Sequence, residues 1–132
     1  MSTLNVSNIT DGTTTVGTSY VVNGSAKAWV NISSASLTNP AGLTGVNGSL
    51  NVASVLDVQT GEVTVSFTNN MNNDDYSVVG TSNQSNTVGG RNSNFGAYAI
   101  GTSSYTFSTT RASSAAVEDG FVVSSTVHGD LA

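Results

Sequence analysis

The chain has 132 residues, of which only 8% are charged, and its formal charge is −5 with a pI near 4.2. Charged residues make up roughly 25% of an ordinary globular domain, so Ser, Thr, Asn and Gly must supply the polar surface here. Lys27, Arg91 and Arg111 are too scattered to neutralise phosphates, no apolar run approaches the ~20 residues of a spanning helix, and there is no cysteine; this argues against nucleic acid, membrane, disulfide and thiolate-zinc roles.

The length suits one domain, able to bury about two-thirds of its unfolded surface. The hydrophobic share of 37% is ordinary once the 14 glycines are added. Richness in Val and a single proline, Pro40, separate the chain from disordered sequences and predict an all-β fold.

In chain order, Leu4, Val6 and Ile9 suggest a first short strand ended by "TDGTTT". Residues 1–20 read as an N-terminal arm or a first strand packing on a neighbour. "TSYVVNG" reads as a second strand. Residues 25–32 give the cleanest alternation in the chain: Ala26, Ala28, Val30 and Ile32 share one face, Lys27 and Trp29 the other. Residues 33–48 read as an exposed loop, with Asn39-Pro40 and three glycines as turn residues.

Leu50–Val58 and Val63–Phe67 read as a hairpin closed by "QTG", with Gly61 free to take positive φ. The apolar phase changes at Ala53-Ser54, which predicts a β-bulge there. A polar turn then feeds a strand at Tyr76–Gly80, and residues 82–96 read as a second exposed loop. "AYAIG", "SYTFSTT" and "GFVVSSTVHG" complete a set of about eight short strands without helical periodicity, the pattern of an antiparallel β-sandwich, jelly roll or small barrel. "LNVSNITD" (4–11) echoes "LNVASVLD" (50–57), too briefly to define a repeat.

Little in the chain suggests catalysis or a cofactor. His128, the single histidine, has no acid or nucleophile assigned to it by spacing and reads as a strand residue. Asp74-Asp75 lacks the alternating ligands of a calcium loop, and Glu118-Asp119 before Gly120 reads as a turn. The Asn-X-Ser/Thr triplets follow from composition. Trp29, Tyr76, Tyr98 and Tyr105 are the stronger candidates, as rings that stack on sugars, fill a partner's pocket or pack in the core. Val- and Thr-rich strands with few charges have poor protection against edge-to-edge pairing, which suggests that a symmetric partner covers them.

Two stretches carry a family resemblance: "GSAKAWVNI" (24–32) and "SLNVASVLDVQTGEVTVSFTNNMNNDDYSVVG" (49–80), with Ala-Lys-Ala-Trp-Val-Asn the most specific piece. "STLNVSNITD" and the terminal "HGDLA" also look like the family's ends. These resemble a small β-rich domain of tailed bacteriophages, especially of cyanobacteria and marine bacteria, found as short stand-alone virion proteins and at the ends of tail fibres. The resemblance covers the first 80 residues well and 81–127 weakly; residues 33–48 depart from it. It implies a virion structural protein, sandwich-like and trimeric, and brings no catalytic residue.

Three functions compete. A trimeric capsid decoration or cement protein, on the outer surface of the particle and bound to the major capsid protein, fits a short chain with no room for a fibre shaft and no signal peptide. A receptor-binding tail-fibre tip, bound to a tail protein and recognising a host glycan, fits the polar 82–96 segment and the aromatics. A glycan-cleaving enzyme needs a carboxylate pair that the eight acids do not display. The candidate interface and packing residues are Lys27, Trp29, Asn31, Tyr76 and Tyr98. Trp29 is expected beneath a loop or a second subunit, with the Lys27 stem along it and its ammonium reaching water or a carboxylate.

Overall fold

A computed structural model describes residues 5–33, 36–37, 39–83 and 92–132. The chain order is β1 (Asn8–Thr10), β2 (Thr15–Gly17), α1 (Thr18–Gly24), β3 (Ala28–Ile32), β4 (Val46–Leu50), β5 (Val52–Gln59), β6 (Glu62–Phe67), β7 (Ser77–Asn83), β8 (Asn92–Tyr98), β9 (Ser104–Arg111) and β10 (Val122–His128). Strands β1 and β2 form a separate hairpin, and the other eight form one antiparallel sheet ordered β4-β3-β10-β7-β8-β9-β6-β5. The expected all-β antiparallel fold is therefore present, as a sheet nearly closed into a barrel.

Near-closure follows from one corner. The edge strands β4 and β5 are consecutive in the chain, separated only by Asn51, whose φ is +56°. Asn tolerates this left-handed conformation better than most residues. Its side chain is held from both sides, Nδ2 donating to the Asn69 carbonyl at 3.0 Å and Oδ1 accepting the Asn69 N–H at 2.7 Å. The free flank of β5 is partly covered by Gly42, which exchanges two backbone hydrogen bonds with Val55.

The predicted bulge is present. Val52 pairs with Phe67 but Ser54 with Ser66, so Ala53 is the extra residue. It is exposed, and both Val52 and Val55 face the core. The hairpin turn is Thr60-Gly61 between the paired Gln59 and Glu62, with Gly61 at φ +73°.

One core fills the barrel. Ala28, Val30 and Ile32 of β3 meet Val63, Val65 and Phe67 of β6, Tyr105 and Phe107 of β9, and Val123 and Val127 of β10. Phe67 stands edge-on to Tyr76 and lies tilted against Tyr105, each at 5.8 Å between centroids. Tyr105 is 1% exposed, and its hydroxyl sits 2.6 Å from the Ser125 Oγ, the two sharing a hydrogen bond. Burial, only partly offset by that bond, pushes its pKa up to about 12.

A phenol whose folded pKa lies above its unfolded value of 10 contributes stability below pH 10 and loses it as pH rises through 10 to about 12, because only the unfolded chain gives up its proton there. Urea midpoints are therefore expected to fall between pH 10 and 12. Tyr105→Phe is expected to flatten that fall while costing about 1 kcal/mol at neutral pH, where the Ser125 hydroxyl loses its partner. An unchanged alkaline slope in the variant would contradict this assignment.

Several segments differ from expectation; the strand expected at "AYAIG" ends at Tyr98, as part of β8. "TSYVVNG" is not a strand but the short helix α1, with no buried residue. Its valines have no neighbouring strand to pair with, and local bonds hold the turn instead: Thr18 Oγ1 donates to the Val6 and Ser7 carbonyls, and the Ser25 N–H to the Val21 carbonyl. The expected loops are narrower. Residues 46–48 already belong to β4, Ser82 and Asn83 close β7, and 92–96 open β8, while 84–91 lie outside the described residues. Ser82 and Ser93 pair there and join β7 to β8.

Candidate assembly surface

The outward side of β4, β3, β10 and β7 forms two rows fixed by register. Leu50, Trp29, Thr126 and Val79 lie in one, Gly48, Asn31, Ser124 and Thr81 in the next. The second row is a polar ladder: Asn47 Nδ2 donates to Asn31 Oδ1 at 2.8 Å, and Asn31 Nδ2 to Ser124 Oγ at 2.6 Å. Asn31 is therefore a sheet-orienting residue, with its amide engaged on both sides.

The first row is apolar except for Thr126, and its three apolar members are open. Trp29 is 39% exposed, Leu50 49% and Val79 64%. The Trp29 ring lies over Gly48, where an added Cβ would stand 3.2 Å from Cη2. Glycine at 48 thus lets the indole lie down along the sheet, so that it presents a face. Within its own chain Trp29 is not beneath a loop, contrary to that part of the expectation; a second subunit is the cover left to consider.

Lys27 also departs from expectation. It lies just before β3 and is 8% exposed, and among the described residues its ammonium forms no ion pair. Nζ donates to the Val22 carbonyl at the C-terminal end of α1 and to Ser25 Oγ at 2.9 Å. A cation at a helix C-terminus satisfies an orphan carbonyl and meets the negative end of the peptide dipoles. Lys27 therefore fastens α1 to the barrel. Lys27→Met keeps the stem and removes the clasp. Its expected effect is roughly tenfold or faster amide exchange at Ser25, whose N–H closes the helix, with core amides of β6 and β9 unchanged. Equal protection at Ser25 in both proteins would contradict the clasp.

The remaining candidates separate cleanly. Tyr76 is a packing residue, 7% exposed, its hydroxyl donating to the Gly101 and Ser104 carbonyls at 2.8 and 3.1 Å. Tyr105 is also core. Tyr98, 42% exposed, lines a cleft of about 340 Å³ with Gln59, Glu62, Ser108 and Val117. A second cleft of about 570 Å³ runs between α1 and the β4–β5 corner, lined by Val22, Lys27, Leu50, Asp130 and Leu131 among others. His128 faces a third with Asn73, Asp75 and Asp130, and among the described residues no group of His, Cys, Asp or Glu could hold a metal ion. Asp119 acts as a tie, its carboxylate accepting the Gly61 N–H at 2.6 Å, and Glu118 pairs with Arg111.

Val79 and Leu50 were missed by sequence reasoning. For Val79 a signal existed: Val78 and Val79 are adjacent in a strand, so one of them must face outward. Comparison with known proteins finds no matching family model, no matching curated protein and no matching solved structure.

Proposed function

We propose that this chain is a structural protein of a tailed-bacteriophage particle, a homotrimeric decoration or cement protein on the outer surface of the capsid. The observation that carries the reading is the outer face of β4-β3-β10-β7. Trp29, Leu50 and Val79 are exposed there, and its other outward residues include Asn31, Ser124, Thr126 and Thr81 rather than ions. Aromatic anchors rimmed by neutral polar groups suit burial against protein, where an unpaired charge is costly to desolvate. The resemblance of "GSAKAWVNI" and residues 49–80 to phage virion domains points to the particle as the place of assembly. The protein acts by adding contacts between shell subunits, and no catalytic step is assigned to it.

A second reading, the tip of a tail fibre, is favoured by Tyr98. An exposed ring beside Glu62, Gln59 and Ser108 in a cleft of about 340 Å³ offers a stacking platform with hydrogen-bonding groups for a host glycan. Imaging particles with and without the protein separates the two. Density on the head supports decoration. Density at the tail, together with glycan binding that Tyr98→Ala abolishes, overturns it in favour of the fibre tip.

A further inference from the structure

The segment before β3 makes a poor fold by itself. Strands β1 and β2 have three residues each and, among the described residues, pair only with one another, although an isolated hairpin is marginal in water even when longer. Helix α1, of seven residues, has none of its own residues buried. The segment still exposes Val6, Ile9, Val16, Tyr20, Val21 and Val22. Ile9 and Val16 are direct cross-strand partners, so their side chains form one apolar face of the hairpin, 51% and 40% exposed. The Tyr20 ring lies over Gly17 on the opposite, Asn8 side. The segment is tied to the barrel by the Lys27 clasp at Val22 and by the chain itself.

We propose that this arm, residues 5–24, docks on the Trp29–Leu50–Val79 face of a second copy of the chain. The inference rests on the assembly reading above and names the element that joins the copies. Charge matches the arm to this face. Among residues 5–24 the only charged side chain is Asp11, at the hairpin turn, where the N–H groups of Thr14 and Thr13 already occupy its carboxylate. The receiving rows carry no Asp, Glu or Arg, and Lys27 beside them is already engaged at Val22. Two neutral surfaces can close on each other with no charge left unpaired, whereas a charged partner would strand its own.

Position matches too. The arm leads through residues 25–27 into the strand that carries Trp29, so donor and acceptor surfaces sit side by side on one molecule. Contacts between two different surfaces of the same chain are head-to-tail, and such contacts close into rings when the rotation permits. A ring of three is the arrangement that the homotrimer requires.

The test uses full-length protein and light scattering across concentrations up to about 100 µM, since oligomer populations follow mass action. Wild type is expected to be a trimer. The arm variant Ile9→Ser/Val16→Ser and the face variant Trp29→Ala are each expected to be monomeric, with the thermal midpoint of the barrel retained. Val79→Asn is the second face variant, kept for the case in which Trp29→Ala loses the fold.

Mixing arm and face variants is the decisive step. The intact arm of one meets the intact face of the other, so a head-to-tail interface restores a complex of two chains. A trimer that persists in the arm variant, or variants that stay monomeric when mixed, overturns arm docking while leaving assembly through another surface in place. A wild type that is monomeric throughout overturns arm docking as well, and head or tail density on the particle then judges the assembly reading separately.

Discussion

Phe107→Ala is expected to destabilise the barrel by about 3–5 kcal/mol, the usual range for an aromatic removed from a packed core. Phe107 is fully buried at the middle of β9, where β8 and β6 flank it. Its ring lies 5.2 Å from that of Phe95, which rises from β8. Removing it leaves a void on the β8–β9–β6 side that the near-closed sheet cannot collapse to fill. Domains of this size hold about 5–15 kcal/mol in total, so much of the reserve would be lost. At about 3–5 °C per kcal/mol the thermal midpoint should fall by at least about 10 °C. Urea denaturation followed by circular dichroism measures it, and a loss under about 1 kcal/mol would place the core elsewhere.

Gly61→Ala is the second large effect, and its cause is backbone rather than volume. At φ +73° an alanine bears about 1–2 kcal/mol of conformational cost before any contact is considered. The added Cβ would then stand 2.7 Å from the Thr109 carbonyl oxygen and 2.8 Å from the Glu118 nitrogen. Neither is a side chain that can swing aside. Three bonds meet at this point: Thr109 N–H to the Gly61 carbonyl, Glu118 N–H to the Thr109 carbonyl, and Gly61 N–H to Asp119. Moving the turn strains all of them, so a total of about 3 kcal/mol is expected.

Gly12→Ala is the control. Its φ is +95° but nothing lies within 4 Å of the added carbon, so only the conformational part applies, and in the arm rather than the barrel. A Gly61 variant no less stable than the Gly12 variant in urea would contradict the crowding.

These two sites also show which parts of the fold the residues announced. The Gly61 turn and the Ala53 bulge were readable because a strand writes its facing into alternate positions. A phase break between Val52 and Val55 has few other meanings. The corner at Asn51 was not readable: in "SLNVAS" an Asn between apolar neighbours looks like one more outward strand residue. Its left-handed conformation goes with bonds to Thr68 and Asn69, distant in sequence. Helix α1 was hidden for a related reason. Seven residues without charge or amphipathic spacing carry no helical signal, and adjacent valines suggest a strand when a partner is assumed.

The candidate surface was half legible. Alternation places Trp29 outward, and it stands 39% exposed there, whereas Lys27 lies before β3 and is buried beside Ala28. What separates them is α1, whose end closes over Lys27 and leaves Trp29 open; a segment read as a strand could not predict that. The contributions of Leu50 and Val79 depend on β4 and β7 reaching the same row through β3 and β10, which is register and not local pattern.

Under the proposed assembly the uncharged composition has a physical reason. The two outward rows of β4, β3, β10 and β7 carry no Asp, Glu, Lys or Arg, the described arm carries only Asp11, and the Arg111–Glu118 pair lies elsewhere, beside the Gly61 turn. Neutral amides and hydroxyls keep such surfaces wettable before assembly and are cheaper to desolvate than ions during it.

The most direct measurement is a map of the intact particle at a resolution that places side chains. Decoration of the capsid predicts triplets of this barrel on the head, each with its Trp29 face covered by the residue 5–24 arm of the neighbouring copy. Barrels at the tail tip, or none on the particle, would contradict it.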